Sequence, residues 1–476
     1  MLLAQRGQLS LDDDVGKYIP EWAPHESRIT IRHLLTHTSG LRDAFMLQGL
    51  APPRADGGDP NAEIVNILAR ARGLNFAPGT EFQYNNGAYT LLANIVKRVS
   101  GQSFRAFAEA NIFKPLGITQ THFHDDHRMI VPNRASGYHQ DAGGLRLVTH
   151  GDAGDAGGIV GNAGLFTTAR DLLVWEQNFA DARVGTPALL TAMQTPAIPT
   201  GWSDTSSYGF GLEIAKYRGL RTIGHGGGGG GYAAYVVRYP DQGFAVALLC
   251  NLDNIGANGG VTLLTQGVAD IYLSDVFTTP SAGRVIATPA HVSLSSEQLA
   301  SKVGLYRDPV TESVGRIFLR DGKLMASEGA GEGESVELTP VSENRFVVSG
   351  TSFAVEFVPP APGRPQEVRV TGVGPKPTVS QKVAPFAPSS TELRAFQGEY
   401  TSSEVEGTYT LAARDSSLVI QIPGRADIVL KPIFPDAFAG AIVGIAKFSR
   451  DADGVVTGFT VNASGARGLR FNRVKR

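Results

Sequence analysis

The spacing of hydrophobic residues predicts amphipathic helices in the first two hundred residues of the chain. Apolar residues recur at helical intervals from Leu92 to Val99, and Gly101 follows them as a helix stop. Thr168 stands before a second apolar series, and Asp171 lies three positions later, which is the spacing of a capping box. These patterns favour helices that each bury one face against a core.

The pattern changes beyond about residue 230 to short runs that are rich in β-branched and aromatic residues. Tyr232–Tyr239 and Phe244–Cys250 flank a Pro-Asp-Gln-Gly turn sequence and predict an antiparallel hairpin. A linker of small residues and proline follows at about 278–290. The chain then keeps a β-like pattern of short runs and turns to its end.

Two blocks in this C-terminal part open with the same arrangement of residues. In each block a leucine is followed five positions later by glycine and seven positions later by tyrosine, from Leu299 to Tyr306 and from Leu393 to Tyr400. This internal similarity indicates two related small domains. We therefore predict an N-terminal domain over residues 1–278. Two small antiparallel β-barrels of lipocalin-like type should follow it, over residues 291–375 and 391–476.

Composition and charge narrow the function classes. The chain has 476 residues and a formal net charge of -2, so it offers no basic surface for a nucleic acid. A single cysteine, Cys250, excludes an internal disulfide framework and a cysteine-rich metal site. No segment has the roughly 18–20 uninterrupted apolar residues of a membrane span, and no signal peptide is visible.

Three short segments contain the residues from which a catalytic site can be built. The first comprises Gly7-Gln8-Leu9-Ser10-Leu11-Asp12-Asp13, then Tyr18-Ile19-Pro20-Glu21-Trp22, and then Ile31-Arg32-His33-Leu34-Leu35-Thr36-His37-Thr38-Ser39-Gly40-Leu41. The second is Tyr84-Asn85-Asn86, and the third is Gly224-His225-Gly226-Gly227. In this order and spacing, over about residues 1–275, the chain resembles the penicillin-recognising serine hydrolases. That family contains class C β-lactamases, D-alanyl-D-alanine carboxypeptidases, D-aminopeptidases and related esterases.

The resemblance implies an α/β (α+β) domain of the serine β-lactamase and transpeptidase type, in which helices flank an antiparallel sheet. It also implies amide or ester hydrolysis through a serine acyl-enzyme. Tyr84 would then be the general base or proton shuttle, and a nearby lysine ammonium would have to lower its pKa from near 10. Asn86 would hydrogen-bond the substrate carbonyl or that lysine.

The resemblance assigns the glycine-rich strand to the third wall of the cleft. His225 would replace the cationic residue of that strand, and Gly226 and Gly227 would let a substrate backbone approach it. The backbone N–H of Gly228 would be an oxyanion donor. A D-amino-acid peptide, a small ester or a β-lactam would each fit as the small-molecule or peptide substrate, with no metal or cofactor.

One part of the family pattern is missing from the sequence. None of the eleven lysines has a serine three residues before it, so the family's Ser-x-x-Lys pair is absent. We therefore expect either that the chain starts at an internal methionine of a longer active protein, or that it is a true truncation without activity. The family is commonly exported, so we expect a periplasmic or secreted protein. His33 and His37 are interpreted as scaffold residues.

Two other function classes remain open at this point. The segment His122-Phe123-His124-Asp125-Asp126-His127 fits a zinc-hydrolase pattern, with His150 as a further candidate ligand. A helix stop and turn precede this segment, whereas the zinc pattern requires a strand. The second class is a catalytically inactive binding protein that uses the same scaffold.

Overall fold

The computed structural model describes residues 1–22, 25, 27–53, 59–141, 143–148, 158–203, 205–255, 260–279, 292–329, 331, 335–348, 353–371, 377–463 and 465–475. The helices of these residues are α1 (Leu2–Gln5), α2 (Ile31–Leu35), α3 (Ala44–Leu50), α4 (Pro60–Arg70), α5 (Asn86–Ser100), α6 (Phe104–Ala108), α7 (Lys114–Leu116), α8 (Ala169–Asp181), α9 (Pro187–Met193), α10 (Gly260–Tyr272), α11 (Ser296–Ala300) and α12 (Ser390–Arg394). No helix among them is long and apolar enough to span a bilayer.

An antiparallel sheet forms the centre of the N-terminal domain. The short strands β1 (His122–Phe123) and β4 (Leu165–Phe166) pair with each other, as do β2 (Tyr138–Asp141) and β3 (Gly144–Leu147). The main sheet has the order β10-β9-β8-β7-β6-β5, with β5 (Ile198–Pro199), β6 (Ser207–Tyr208), β7 (Glu213–Tyr217), β8 (Leu220–Gly229), β9 (Tyr232–Tyr239) and β10 (Phe244–Cys250). The predicted hairpin is thus confirmed, since β9 pairs with β10 from Tyr239 opposite Phe244 onward.

Helix α5 ends at the glycine that the sequence predicts, and it begins at the second motif. The Asn85 side chain caps its first turn by accepting a hydrogen bond from the backbone N–H of Ala88 at 3.0 Å. Gly101 ends it with φ +71°, in the left-handed region that glycine adopts at low cost. Buried residues on one face, among them Leu91 and Ile95, pack this helix into the domain core.

The start of α8 follows the sequence prediction in part. Thr168 accepts a hydrogen bond from the backbone N–H of Asp171 at 3.2 Å, as a helix cap does. The carboxylate of Asp171 does not complete the capping box. It accepts hydrogen bonds instead from the backbone N–H of Gln120 and the hydroxyl of Thr121, both at 2.8 Å. Asp171 therefore ties α8 to the segment before β1.

We expect the Thr168→Ala substitution to lower the free energy of unfolding by about 1 kcal/mol, because the N–H of Asp171 loses its capping partner. Urea unfolding measured by tryptophan fluorescence would detect this change. Thr168→Ser is the matched control, since it removes only the methyl group. A loss in the serine variant as large as that in the alanine variant would show that the methyl group, and not the cap, stabilises this site.

Two closed antiparallel barrels follow the first domain. The strands of the first barrel are β11 (Gly304–Arg307), β12 (Val314–Arg320), β13 (Lys323–Glu328), β14 (Ser335–Pro340), β15 (Arg345–Val348), β16 (Ala354–Val358), β17 (Glu367–Thr371) and β18 (Thr378–Val383). Strand β18 lies beyond residue 375, in the segment between the two predicted domains. Phe346 and Phe357 are buried in the apolar interior of this first barrel.

The second barrel has an aromatic interior that is continuous with the core of the first domain. Its strands are β19 (Gly398–Thr401), β20 (Thr408–Arg414), β21 (Ser417–Gln421), β22 (Ile428–Phe434), β23 (Ala437–Gly440), β24 (Gly444–Arg450), β25 (Val456–Ala463) and β26 (Ala466–Arg473). Buried Leu47 and Leu50 of α3 belong to the same apolar cluster as Tyr409 of this barrel. The hydroxyl of Tyr409 also donates to the carbonyl of Leu50 at 2.6 Å.

A buried ion pair joins the second barrel to the first domain. The Arg42 guanidinium donates to both carboxylate oxygens of Glu404, at 2.7 and 3.1 Å, and to the carbonyl of Arg467 at 2.7 Å. The backbone N–H of Gly73 donates to the same carboxylate at 3.0 Å. This contact lies next to the loop that carries the second sequence motif.

Candidate active site

The turn after α2 places His37 beneath the second motif. Residue 37 has φ +55°, and its side chain is buried. Its Nδ1 accepts a hydrogen bond from the backbone N–H of Asn85 at 3.0 Å. Burial lowers the pKa of His37 to about 3, so its imidazole is neutral at physiological pH.

Tyr84 lies over this histidine at the mouth of the site. Its ring centre is 4.2 Å from that of His37 and 6.0 Å from that of His225, and its side chain is 39% exposed. Burial against these rings raises the pKa of Tyr84, and the carboxylate of Glu213 adds to this effect. Among the described residues, no lysine or arginine contributes to lowering this pKa.

The other two residues of the second motif sit at the start of α5. Asn85 is buried, and its side-chain amide donates to the carbonyls of Leu41 at 2.8 Å and Arg42 at 3.2 Å. Asn86 is the first residue of the helix and is partly exposed. The hydrogen bonds of Asn85 therefore hold the turn that carries Tyr84 against residues 41–42, and Arg42 also binds the second barrel.

Strand β8 brings the third motif to the same place. Strand β7 pairs with β8 only as far as Glu213 opposite Gly224, whereas β9 pairs with β8 as far as Gly229. Within the described residues, no strand covers the other side of β8 from His225 to Gly229. That free edge can accept an extended substrate backbone as an added strand.

The glycines on this edge leave different amounts of space. A Cβ on Gly226 would lie 3.2 Å from the ring of Tyr235, and one on Gly224 would lie 2.2 Å from the carbonyl of Val236. Gly227 would meet no atom within 4 Å. The absence of a side chain at position 227 therefore opens space that the described residues do not fill.

Tyr208 connects the two histidines of the site. Its hydroxyl oxygen is 3.2 Å from Nε2 of His37 and 2.9 Å from Nε2 of His225. Nδ1 of His225 is 2.6 Å from the carbonyl oxygen of Gly226. Both ring nitrogens of His225 are thus within hydrogen-bonding distance of protein groups.

Aromatic side chains form the wall beside Tyr84. Phe82 packs edge-on against Trp202, with ring centres 5.2 Å apart, and Trp202 lies 6.4 Å from Tyr84. Trp202 is half exposed. An apolar group of a ligand bound at the free edge of β8 would meet this surface.

The structure brings Tyr84 and His225 together, and it adds three neighbours that the sequence does not indicate as site residues. His37, which the sequence predicts to be a scaffold residue, contacts both Tyr84 and Tyr208. The other two neighbours are Tyr208 and Glu213. Two glycines lie between them in the turn from β6 to β7, but no sequence motif marks either residue as part of a site.

The histidine-rich segment receives no support as a zinc site. Its six residues are all described, and no group of three metal-binding side chains occurs among the described residues. His122 and His124 contact each other at 3.4 Å, and Asp126 pairs with Arg128. His150 lies outside the described residues.

The helices, the antiparallel sheet and the three converging motifs define a domain of the β-lactamase and transpeptidase fold. The chain belongs to the beta-lactamase family, because the family model described as Beta-lactamase matches residues 1–262. This result confirms the resemblance and the fold class inferred from the three motifs. The family is one of serine hydrolases with D-aminopeptidase homologues.

Known relatives cover different parts of the chain. Penicillin-binding protein 4* of Bacillus subtilis (strain 168) is 28% identical over 382 residues, which is 75% of this chain and 79% of that protein. A D-aminopeptidase of Brucella anthropi is 30% identical over 225 residues, or 46% of this chain and 40% of that protein. The chain thus spans less than half the length of this D-aminopeptidase.

A solved structure has a similar fold over most of the chain. The octameric penicillin-binding protein homologue from Pyrococcus abyssi is similar over 80% of this chain and 84% of its own, with a TM-score of 0.52 and 22% sequence identity. At this level of identity the likeness supports the fold.

Proposed function

We propose that this site belongs to a serine hydrolase that cleaves amide or ester bonds through an acyl-enzyme. The observation that carries the proposal is the meeting of Tyr84 and His225, with ring centres 6.0 Å apart, at the free edge of β8. A D-amino-acid peptide, a small ester or a β-lactam would lie along this edge. The likeness to D-aminopeptidases favours the first of these.

Each residue of the site has a role in this proposal. Tyr84 accepts the proton of the nucleophile and returns it to the leaving group, as general base and then general acid. Asn86 binds the substrate carbonyl or the catalytic lysine. Gly226 and Gly227 admit the substrate backbone, and the N–H of Gly228 stabilises the oxyanion. The apolar wall at Trp202 accepts the side chain of the acyl donor.

We also propose that residues 1–476 do not form the acyl-enzyme by themselves. They contain no Ser-x-x-Lys pair, and the raised pKa of Tyr84 keeps its phenol protonated at neutral pH. A lysine ammonium beside Tyr84 would be needed to lower that pKa. The same observation favours the second candidate, a catalytically inactive binding protein of this fold. A periplasmic or secreted location belongs to the proposal as well.

Covalent labelling tests the proposal. We expect no labelling of purified residues 1–476 by a fluorophosphonate or a fluorescent penicillin. A longer in-frame product that carries Ser-x-x-Lys should be labelled, and its Ser→Ala variant should not.

Three outcomes would decide between the candidates. Stable labelling of residues 1–476 at a serine would contradict the absence of a nucleophile. A longer product that contains the pair and yet stays unlabelled would contradict the hydrolase. If no in-frame pair is encoded upstream, the binding protein is favoured.

A further inference from the structure

The loop from Gly73 to Asn85 carries Tyr84 and is bonded to the first motif through its backbone. Three backbone N–H groups of the loop donate to backbone carbonyls of that motif: Asn75 to Gly40 at 2.7 Å, Gly79 to Thr38 at 2.8 Å, and Gln83 to His37 at 2.9 Å. The side chains of Asn75 and Gln83 take no part in these three bonds and make contacts of their own.

A hairpin of the second barrel contacts the same loop. In the turn between β25 and β26, the carbonyl of Gly465 accepts hydrogen bonds from the backbone N–H of Asp43 at 2.7 Å and from the side-chain amide of Asn75 at 3.2 Å. A Cβ on Gly465 would lie 2.5 Å from the Cβ of Asp43. The hairpin can approach the first domain this closely because residue 465 has no side chain.

Backbone groups of the barrel fix the orientation of the Asn75 amide. Its Oδ1 accepts a hydrogen bond at 2.9 Å from the backbone N–H of Arg467, a group that can only donate. Its Nδ2 faces the carbonyl of Gly465, which can only accept. Nδ2 also donates to the side-chain oxygen of Gln83 at 2.6 Å. Two consecutive hydrogen bonds thus connect the barrel backbone to the residue that directly precedes Tyr84.

We propose that the second barrel positions Tyr84 in the cleft, with Asn75 and Gln83 as the positioning residues. The inference rests on the proposed function for the role of Tyr84 in proton transfer. The ring of Tyr84 lies 4.2 Å from that of His37, centre to centre, and the N–H of Asn85 donates to Nδ1 of His37 at 3.0 Å. A loop that lost its connection to the barrel would therefore move the phenol relative to His37.

A second contact between the hairpin and the loop contributes less. The guanidinium of Arg467 pairs with the carboxylate of Glu81 at 2.9 Å, and both side chains are partly exposed. Water screens such a pair, so it stabilises the position of the loop only weakly. The bonds of Asn75, in contrast, involve backbone groups of Gly465 and Arg467, which move together with the barrel.

Tyrosine NMR of residues 1–476 tests the inference without any measurement of activity. Tyr84→Phe identifies the ring signals of Tyr84 among the thirteen tyrosines of the ¹³C-tyrosine-labelled protein. Asn75→Ala should move these signals toward those of an exposed tyrosine, because Gln83 loses its connection to the barrel. Gly465→Ala should move them in the same direction, because the added methyl group pushes the hairpin away from Asp43.

Asn178→Ala is the matched control for a general loss of stability. The amide of Asn178 also donates to a backbone carbonyl and accepts from a backbone N–H, but both groups belong to Val184. This substitution should leave the Tyr84 signals in place. Tyr400, buried in the second barrel, reports in the same spectra that the barrel stays folded.

Two results would overturn the inference. The first is an unmoved Tyr84 signal in Asn75→Ala or in Gly465→Ala, with the barrel folded. The second is an equal displacement of the Tyr84 signal in Asn178→Ala, since any loss of stability would then move this ring.

Acylation kinetics separate this inference from the proposed function. In a longer product that carries Ser-x-x-Lys, Asn75→Ala should slow acylation by saturating fluorescent penicillin roughly 10–100-fold. The concentration for half-maximal rate should change little, because Tyr84 transfers a proton and does not bind the reagent. A displaced Tyr84 with unchanged acylation would support the positioning and contradict the role of Tyr84 in the proposed function. Slower acylation with an unmoved Tyr84 signal would overturn the positioning.

Discussion

Glu404→Gln should lower the free energy of unfolding by about 3–5 kcal/mol, because it leaves the buried charge of Arg42 without an opposite charge. The side chains of Arg42 and Glu404 are 4% and 12% exposed. Glutamine keeps the shape of the side chain and one acceptor for the N–H of Gly73, so the change isolates the charge. Urea unfolding followed by tryptophan fluorescence measures the effect, since all three tryptophans lie in the first domain.

An exposed ion pair between the same two domains provides the matched control. Arg70 of α4 pairs with Glu406, two residues from Glu404, and their side chains are 40% and 57% exposed. Water screens such a pair, so Glu406→Gln should cost less than about 1 kcal/mol. Similar losses in the two variants would show that burial of the Arg42 pair does not determine its contribution.

The position of Arg42 extends this prediction to the active site. Its guanidinium binds the second barrel, while its backbone carbonyl accepts a hydrogen bond from Asn85, the residue after Tyr84. Asn75 makes a parallel connection, since it bonds both Gln83 and the barrel backbone at Arg467. Two residues, Arg42 and Asn75, thus each connect the second barrel to the loop that carries the second motif.

Acidification below pH 6.5 should destabilise the protein through His37. The unfolded chain binds a proton at the ordinary histidine pKa of 6.5, whereas the buried imidazole resists it down to about pH 3. Protons therefore favour the unfolded state throughout this interval, and the stabilisation present above pH 6.5 is lost as the pH falls. The slope is about 1.4 kcal/mol per pH unit, or about 2–3 kcal/mol between pH 7.5 and 4.5.

Comparison with His37→Asn isolates this contribution from those of the buried carboxyl groups. Asparagine tolerates the positive φ of residue 37, and its Oδ1 can replace Nδ1 as acceptor for the N–H of Asn85. The difference in unfolding free energy between the two proteins, measured with urea at several pH values, should shrink as the pH falls. A difference that stays constant from pH 7.5 to 4.5 would show that His37 is protonated as readily in the folded state.

Local features of the fold were predictable from residues close together in the sequence. The apolar spacing before Gly101, the cap at Thr168 and the turn between β9 and β10 all act within one helix turn or one hairpin. Asp171 departed from its predicted capping-box role because a partner 51 residues away, at Gln120, competes for its carboxylate. Sequence spacing contains no information about such a distant partner.

The sequence by itself determined the family, the helix and strand types and the three motifs of the site, because each depends on a short, ordered set of residues. Tertiary structure alone decided that His37 and Tyr208 stand behind His225, and that Arg42 meets Glu404, 362 residues away. It also decided that burial raises the pKa of Tyr84 and lowers that of His37. Charge state and hydrogen-bond direction depend on what surrounds a group in space, and periodicity along the chain does not encode those surroundings.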